Sequence, residues 1–107
     1  MNPPQPEAEF QVQVIDLAHL LGYRVAHFRR AVVGGRWMTP VAADGAGWPD
    51  LALTRMDRFL VIELKSNTGS LGKEQRTWLE ALRAAGVETH VFKPRDWELI
   101  VETLRRA

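Results

Sequence analysis

Hydrophobic residues recur along the chain with two different periods, and the change from one period to the other separates helices from strands. Within residues 6–21 and 73–85 they return every three or four positions, which is the spacing of one helix face. Gly22 and Gly86 follow these stretches, where glycine can end a helix. The pattern predicts two helices, with these core-facing positions: Phe10, Val14, Leu17, Ala18 and Leu21 in the first, and Trp78, Leu79, Leu82 and Ala85 in the second.

Shorter apolar runs predict four strands, at residues 23–28, 51–54, 59–64 and 87–93. The run at 59–64 is almost continuous, as in a strand covered on both faces, whereas the run at 87–93 alternates with polar residues, as in an edge strand. A last helix is predicted from Pro94 onwards. Its expected apolar face contains Trp97, Ile100, Val101 and Leu104. The order helix, three strands, helix, strand, helix predicts an α/β sandwich around a mixed sheet.

Residues 29–47 contain four glycines, a proline and three arginines without a clear period, so they are predicted to form a long loop. Arg29, Arg30 and Arg36 could contact phosphate groups there, and Trp37 could stack on a base. The alternative interpretation is a solvated loop whose tryptophan covers the core.

Acidic and basic residues gather at one end of the strands predicted at 51–54 and 59–64. Side chains alternate between the two faces of a strand, so Glu63 and Lys65 share one face. If the two strands pair as a hairpin, Asp50 lies beside Glu63. Two such carboxylates repel each other unless a proton or a divalent cation lies between them, and hard oxygen ligands suit Mg²⁺ or Mn²⁺. The pattern therefore predicts a hard-cation site beside a lysine that could position water or stabilise a phosphoryl oxygen.

The acids and the lysine of this hairpin resemble the P-D … E-x-K signature of the PD-(D/E)XK nuclease superfamily. Within it, the turn G-x-P-D at 47–50, the strand end E-L-K at 63–65 and the later Q-x-x-W at 75–78 resemble the VRR-NUC family, especially its stand-alone, phage-type members. The resemblance runs over most of the chain. It implies a restriction-endonuclease-like three-layer sandwich with the order αβββαβα around a mixed four-stranded sheet.

The resemblance also implies which residues act. It assigns catalysis to Asp50, Glu63, Lys65 and Gln75. Asp50 and Glu63 would bind Mg²⁺ or Mn²⁺ together with the backbone carbonyl of Leu64 and a glutamate of the first helix. Glu7 matches that glutamate through the pattern E-x-x-F-Q, and Glu9 is the alternative. As acids of a first turn, both could instead serve only to favour the helix dipole.

Further residues could meet the substrate. Gln75 lies in the first turn of its helix, where an amide could reach a phosphate or a bound water. Lys73 and Arg76 flank it and could contact the nucleic-acid backbone. His27 could touch substrate, although a single histidine on a strand is more often a packing residue. The turn-rich segment 66–72 could hold a phosphate, with a simple flexible loop as the alternative.

Composition narrows the class of protein. With 107 residues, the chain is long enough for one domain, predicted at 6–107 after a flexible tail at 1–5. No apolar run approaches the roughly 20 residues of a membrane span, so a cytoplasmic location, in a bacterium or a phage-infected host, is expected. The chain has no cysteine, which excludes disulfides and thiolate metal sites. Its net charge is +1, so any basic surface must be local.

The resemblance, together with the predicted cation site, implies a metal-dependent endodeoxyribonuclease that hydrolyses phosphodiester bonds in DNA, with no membrane partner and no small-molecule cofactor expected. Stand-alone relatives suggest branched DNA such as Holliday junctions, and a small domain acting on a two-fold junction would suit a homodimer. Trp37, Trp48 and other exposed apolar residues could serve the dimer. The alternative is a non-catalytic nucleic-acid-binding or interaction module that retains the nuclease fold.

Overall fold

The computed structural model describes residues 7–28, 31–33, 35–38 and 42–107, with the backbone alone for Glu7, 31–33 and 36–38. The elements in this part of the chain are α1 (Glu7–Leu20), β1 (Arg24–His27), β2 (Ala31–Val33), β3 (Arg36–Met38), β4 (Leu51–Arg55), β5 (Arg58–Leu64), α2 (Lys73–Ala84), β6 (Glu88–Phe92) and α3 (Trp97–Arg105). None of the described helices has the length and apolar character needed to cross a membrane. The tail predicted at 1–5 lies outside the described residues.

The main sheet has four strands in the order β1-β4-β5-β6. β1, β4 and β5 pair antiparallel, and β6 joins β5 in parallel at the edge of the sheet. The connection from β4 to β5 is too short for anything but antiparallel pairing, whereas the return to β6 through α2 is a crossover long enough to set two strands parallel. The predicted restriction-endonuclease-like sandwich, with the order αβββαβα around a mixed four-stranded sheet, is confirmed.

The stretch at 29–47, predicted as a loop, contains a second, two-stranded sheet. β2 and β3 pair antiparallel, with Val33 opposite Arg36, so a glycine pair connects them. Gly35 has a φ of +78°, a conformation that costs glycine little. The prediction was wrong because each strand has only three residues, too few to show a period. Gly35, one of the glycines taken as a loop signal, lies in a turn between the two strands.

The two faces of β5 carry different layers. Its even-numbered residues, from Leu60 to Leu64, belong to one buried cluster with α1 and α3. The helical members of that cluster are Phe10, Val14 and Ala18 of α1 and Ile100 and Leu104 of α3. Val61 and Glu63 point to the opposite face because side chains alternate, and α2 covers that face through the contact of Gln75 with Glu63. The strand is therefore covered on both faces, as predicted.

The helices differ from their predictions at the ends. α2 ends at Ala84, so Ala85 is exposed rather than part of the core. A short 3-10 helix, Pro94–Asp96, precedes α3. Trp97, predicted to face the core, is the first residue of α3 and lies exposed at its rim. Ile100, one turn further on, is buried as predicted.

Polar contacts fix the turn end of the β4–β5 hairpin. Arg58 forms a two-oxygen ion pair with Glu88, at 2.7 and 3.0 Å, and donates to the Tyr23 hydroxyl at 2.8 Å. Its guanidinium lowers the pKa of Glu88 to about 2. Arg55 donates to the backbone carbonyls of Leu21 and Leu104, at the ends of α1 and α3. The hairpin is thereby anchored to both helices at the end opposite Asp50.

Candidate functional site

The sheet register places Asp50 beside Glu63. The antiparallel pairing of β4 with β5, continued by one step, brings Asp50 opposite Glu63 near the end of β5. The Oδ2 atom of Asp50 accepts a hydrogen bond of 2.8 Å from the Leu64 amide. Its backbone carbonyl accepts another, of 2.9 Å, from the Phe28 amide. Asp50 is thus held between β1 and β5, in the hairpin arrangement that the sequence predicted.

Glu63 is a buried carboxylate, only 2% exposed. Its Oε2 atom accepts a hydrogen bond of 2.7 Å from Nε2 of Gln75 and lies 3.9 Å from Nζ of Lys65. Its Oε1 atom is also buried and, within the described residues, has no hydrogen-bond partner. An unpartnered, charged oxygen away from water is costly, so this arrangement calls for a proton or a cation.

The environment of Glu63 favours its protonated form. The pKa of Glu63 is raised from its ordinary value of 4.5 to about 8, and burial is the largest cause. The neighbouring Asp50 carboxyl adds to this rise, because two acids within hydrogen-bonding reach share a proton more readily than they carry two charges. Lys65 acts in the opposite direction, since its ammonium group favours the charged form. Without a cation, Glu63 therefore keeps its proton at neutral pH.

Gln75 is oriented by the start of α2. It is the third residue of the helix, and its Oε1 atom accepts a hydrogen bond of 2.8 Å from the Gly72 amide. This bond satisfies one of the unpaired backbone donors of the helix start and turns Nε2 towards Glu63. The sequence suggested that this amide could reach a phosphate or water. Both ends of the amide contact the protein, which favours a role in positioning Glu63, and contact with a phosphate or water stays a prediction.

The turn before Asp50 packs closely against α2. Gly47 has a φ of +86°, and a Cβ atom added there would lie 2.6 Å from the backbone carbonyl carbon of Glu74. Two carbon atoms cannot approach so closely without a shift of the backbone. The absence of a side chain at Gly47 therefore lets the turn that carries Asp50 lie directly beside the helix that carries Gln75.

We expect Gly47→Ala to destabilise the protein by about 2–3 kcal/mol, through backbone strain and the clash with α2. Gly86→Ala is a matched control, because Gly86 also has a φ of +86° but an added Cβ there would meet nothing within 4 Å. Only the backbone strain, about 1 kcal/mol, remains in the control. Urea denaturation of both variants measures the difference. Equal losses of stability would contradict a steric role for Gly47.

The acids and Lys65 line a polar cleft of about 460 Å³. Ser66 and Ser70, from the loop before α2, line it as well, as does Glu74. The sequence left open whether that loop meets substrate, and the structure places its two serines at the cleft. Glu74 was not among the predicted residues, because nothing in its local pattern separates it from other acids in the first turn of a helix.

The donor set fits a hard divalent cation. Asp50 and Glu63 supply facing carboxylates, one with an unpartnered oxygen, and Leu64 lines the same cleft. Among the described side chains, no group of three acids, histidines or cysteines is assembled for a metal ion. The side chain of Glu7 lies outside the described residues, and Glu9, its alternative, is exposed in the first turn of α1. The ligand from the first helix therefore stays a prediction.

Six residues were predicted to contact DNA. Those whose side chains the structure describes are not part of the lining of the polar cleft. Those outside the description are Arg29, Arg30 and the side chain of Arg36. His27 ends β1 and is half-buried. Lys73 and Arg76 are exposed in the first turn of α2. Because none of these three lines the cleft, their contact with DNA also stays a prediction.

Trp48, predicted as an exposed residue for a dimer interface, is half-buried. Its ring packs edge to face against Phe28, with 6.2 Å between centroids, and against Trp78, with 5.0 Å. The expected exposure was wrong because Trp48 follows Gly47 in the turn that lies on α2, where packing covers most of the ring, and a part in a dimer interface stays a prediction. The side chain of Trp37 lies outside the described residues. We call Phe28, Trp48 and Trp78 the aromatic cluster.

Comparison with known proteins agrees with this geometry. The profile of the VRR-NUC domain family matches residues 18–96. That range contains Asp50, Glu63, Lys65 and Gln75 but begins after both acids in the first turn of α1, so it does not bear on the choice between them. No curated protein and no solved structure shows significant similarity to the chain. Because the matched range covers most of the chain, the protein belongs to the VRR-NUC domain family, a family of nuclease-type domains.

Proposed function

We propose that the protein is an endodeoxyribonuclease that hydrolyses phosphodiester bonds with the help of Mg²⁺ or Mn²⁺. The observation that carries this proposal is the buried carboxylate of Glu63, opposite Asp50, with an oxygen that has no partner among the described residues. Such a group costs stability, and strongly perturbed acids in a cleft are typical of functional sites. Membership of a family of nuclease-type domains supports the same class of activity.

Asp50 and Glu63 would hold the cation, with the Leu64 carbonyl and Glu7 as further ligands. When bound, the cation supplies Lewis-acid activation of the phosphate and of a water molecule. To bind it, Glu63 must release the proton that its raised pKa retains. Protons and the cation therefore compete for the same oxygens.

The protein's own groups prepare the site for the change in charge during hydrolysis. The Lys65 ammonium, 3.9 Å from Oε2 of Glu63, would stabilise negative charge that develops on the phosphate. The Leu64 amide holds Asp50, and Gln75 holds Glu63, each through a hydrogen bond shorter than 3 Å. Because these bonds exist before substrate arrives, little reorganisation is needed on binding.

We further propose that the substrate is branched DNA, such as a four-way junction, and that the working form is a homodimer. A four-way junction presents two strands for cleavage, related by two-fold symmetry. A domain of 107 residues is small, and two copies would place one polar cleft at each strand. The resemblance of the sequence to stand-alone family members supports the same substrate.

Cleavage assays on linear duplex, flap and four-way junction substrates test the proposal, with Mg²⁺, Mn²⁺ or a chelator present and the mass in solution measured in parallel. We expect cleavage only with a divalent cation, fastest on the junction, by a protein with the mass of a dimer. DNA binding without cleavage under every metal condition would favour the non-catalytic module instead. Equal rates on all three substrates would remove the preference for branched DNA.

A further inference from the structure

The aromatic cluster borders a second cleft directly beside the polar one. This aromatic cleft has a volume of about 560 Å³ and is lined by Phe28, Trp48, Trp78 and the turn at 42–45. Phe28 and Trp48 line both clefts, so one surface runs from the two carboxylates to the three rings. The volume of the aromatic cleft falls within the range of ordinary small-ligand pockets, about 300–1,000 Å³.

Each ring of the cluster is tied to a residue of the candidate catalytic site. The Phe28 amide donates to the backbone carbonyl of Asp50 at 2.9 Å. Trp48 lies in the same turn as Asp50, and Trp78 lies one turn of α2 beyond Gln75. The indole N–H of Trp78 donates to the Asp44 carbonyl at 2.8 Å, which fixes the turn at 42–45 against the rings. The aromatic cleft is therefore held at a set position relative to the polar one.

The lining of the aromatic cleft favours an uncharged, flat ligand. Three aromatic rings, two alanines and a glycine make up its described lining, together with one acid, Asp44. An acidic side chain repels a phosphate group, whereas exposed rings stack on other flat ring systems. Phe28, with 42% of its surface exposed, offers the most accessible ring that the structure describes in this cluster.

A nucleotide has a charged phosphate, which suits the polar cleft, and a flat, uncharged base, which suits the aromatic cleft. We propose that the aromatic cleft holds an unpaired nucleobase of the DNA strand whose phosphodiester lies in the polar cleft. This inference rests on the proposed function, because it takes the polar cleft as the site of the phosphodiester. A base can enter only after it leaves the duplex stack, at a cost of a few kcal/mol that is smallest for bases already unpaired. The cleft therefore favours substrates whose bases beside the cut leave the duplex stack easily, as at a branch point.

Binding of two short oligomers in the presence of a chelator tests this inference without any cleavage. One probe is a fluorescein-labelled thymidine dodecamer, and the other is an abasic dodecamer with the same phosphate charge. We expect the wild-type protein to bind the base-bearing oligomer between about fivefold and a hundredfold more tightly, as stacking on an aromatic ring provides. Phe28→Ala should reduce this preference and leave the affinity for the abasic oligomer unchanged.

Phe59→Ala is the matched control, because Phe59 is equally exposed, at 43%, but lies at the turn end of β5 outside both clefts. It should keep the wild-type preference. Phe28→Leu, which retains apolar volume without a ring, repeats the test if Phe28→Ala fails to fold by circular dichroism. Equal wild-type affinity for the two oligomers, or an unchanged preference in the Phe28 variants, would overturn the inference. If the wild-type protein cleaves DNA but shows no base preference, this inference alone fails and the proposed function stands.

Discussion

Asp50→Asn and Lys65→Ala should each lower the rate of DNA cleavage by at least about a thousandfold, because each removes a charge on which the proposed chemistry depends. Asparagine keeps the shape of Asp50 and can still accept the hydrogen bond from the Leu64 amide. It lacks only the negative charge that would ligate a cation. Lys65→Ala removes the ammonium group 3.9 Å from Oε2 of Glu63 and, with it, the positive charge proposed to act on the phosphate.

Metal affinity separates the two roles. In calorimetric titrations, Asp50→Asn should weaken Mn²⁺ binding at least about tenfold, whereas Lys65→Ala should retain it. Asp57→Asn, in the exposed turn between β4 and β5, and Arg105→Ala, exposed near the end of α3, are controls that should cleave at the wild-type rate. Cleavage near the wild-type rate by either site variant would contradict the proposed site. Unchanged Mn²⁺ affinity in Asp50→Asn would remove Asp50 from the ligand set.

The stability of the metal-free protein should fall as pH rises, and Glu63 should be the cause. Below pH 4.5, both the folded and the unfolded chain hold the proton of Glu63, so its contribution to stability is fully present. Between pH 4.5 and about 8, the unfolded chain releases this proton and the folded chain keeps it. Each pH unit in that window then costs about 1.4 kcal/mol, a total on the order of 5 kcal/mol. Above about pH 8, the folded chain also releases the proton, and the contribution of Glu63 to stability is lost.

Urea denaturation of the wild type and of Glu63→Gln, from pH 5 to pH 9 with a chelator present, measures this effect. Glutamine can still accept the hydrogen bond from Gln75 but carries no charge, so this variant should show a much flatter profile and no cleavage. Glu80→Gln, exposed on α2, should keep the wild-type slope. Saturating Mg²⁺ should flatten the wild-type profile, since the cation displaces the proton. Parallel profiles for the wild type and Glu63→Gln would contradict the role given to Glu63.

The parts of the fold that the sequence predicts correctly are those with a strong local period. The helices α1 and α2 follow from apolar spacing, and β5 follows from its continuous apolar run. The same alternation along β5 put Glu63 and Lys65 on one face, and the hairpin put Asp50 opposite Glu63. The small sheet of β2 and β3 was missed because three-residue strands carry too little pattern.

The parts of the site that escaped prediction depend on contacts between distant segments. Gln75 turns towards Glu63 because the Gly72 amide holds its other end, and this is decided by the geometry of the helix start rather than by residue type. The close approach of Gly47 to α2 follows from how the turn packs on the helix. The burial of Trp48 follows from the same packing, so a local pattern could only describe it as an apolar residue in a turn.

The hydrogen bonds that hold the two acids have a consequence for the choice of ion. The Leu64 amide occupies Oδ2 of Asp50, and Gln75 occupies Oε2 of Glu63. Each side chain is thereby turned so that its other oxygen is the one left to a ligand. On the proposed function, both acids would bind through a single oxygen. Mg²⁺ accepts such monodentate ligands in a small octahedral shell, whereas Ca²⁺ gathers six to eight oxygens and often takes both from one carboxylate. On the proposed function, the site would therefore favour Mg²⁺ over Ca²⁺, two ions of equal charge, through the denticity of its ligands.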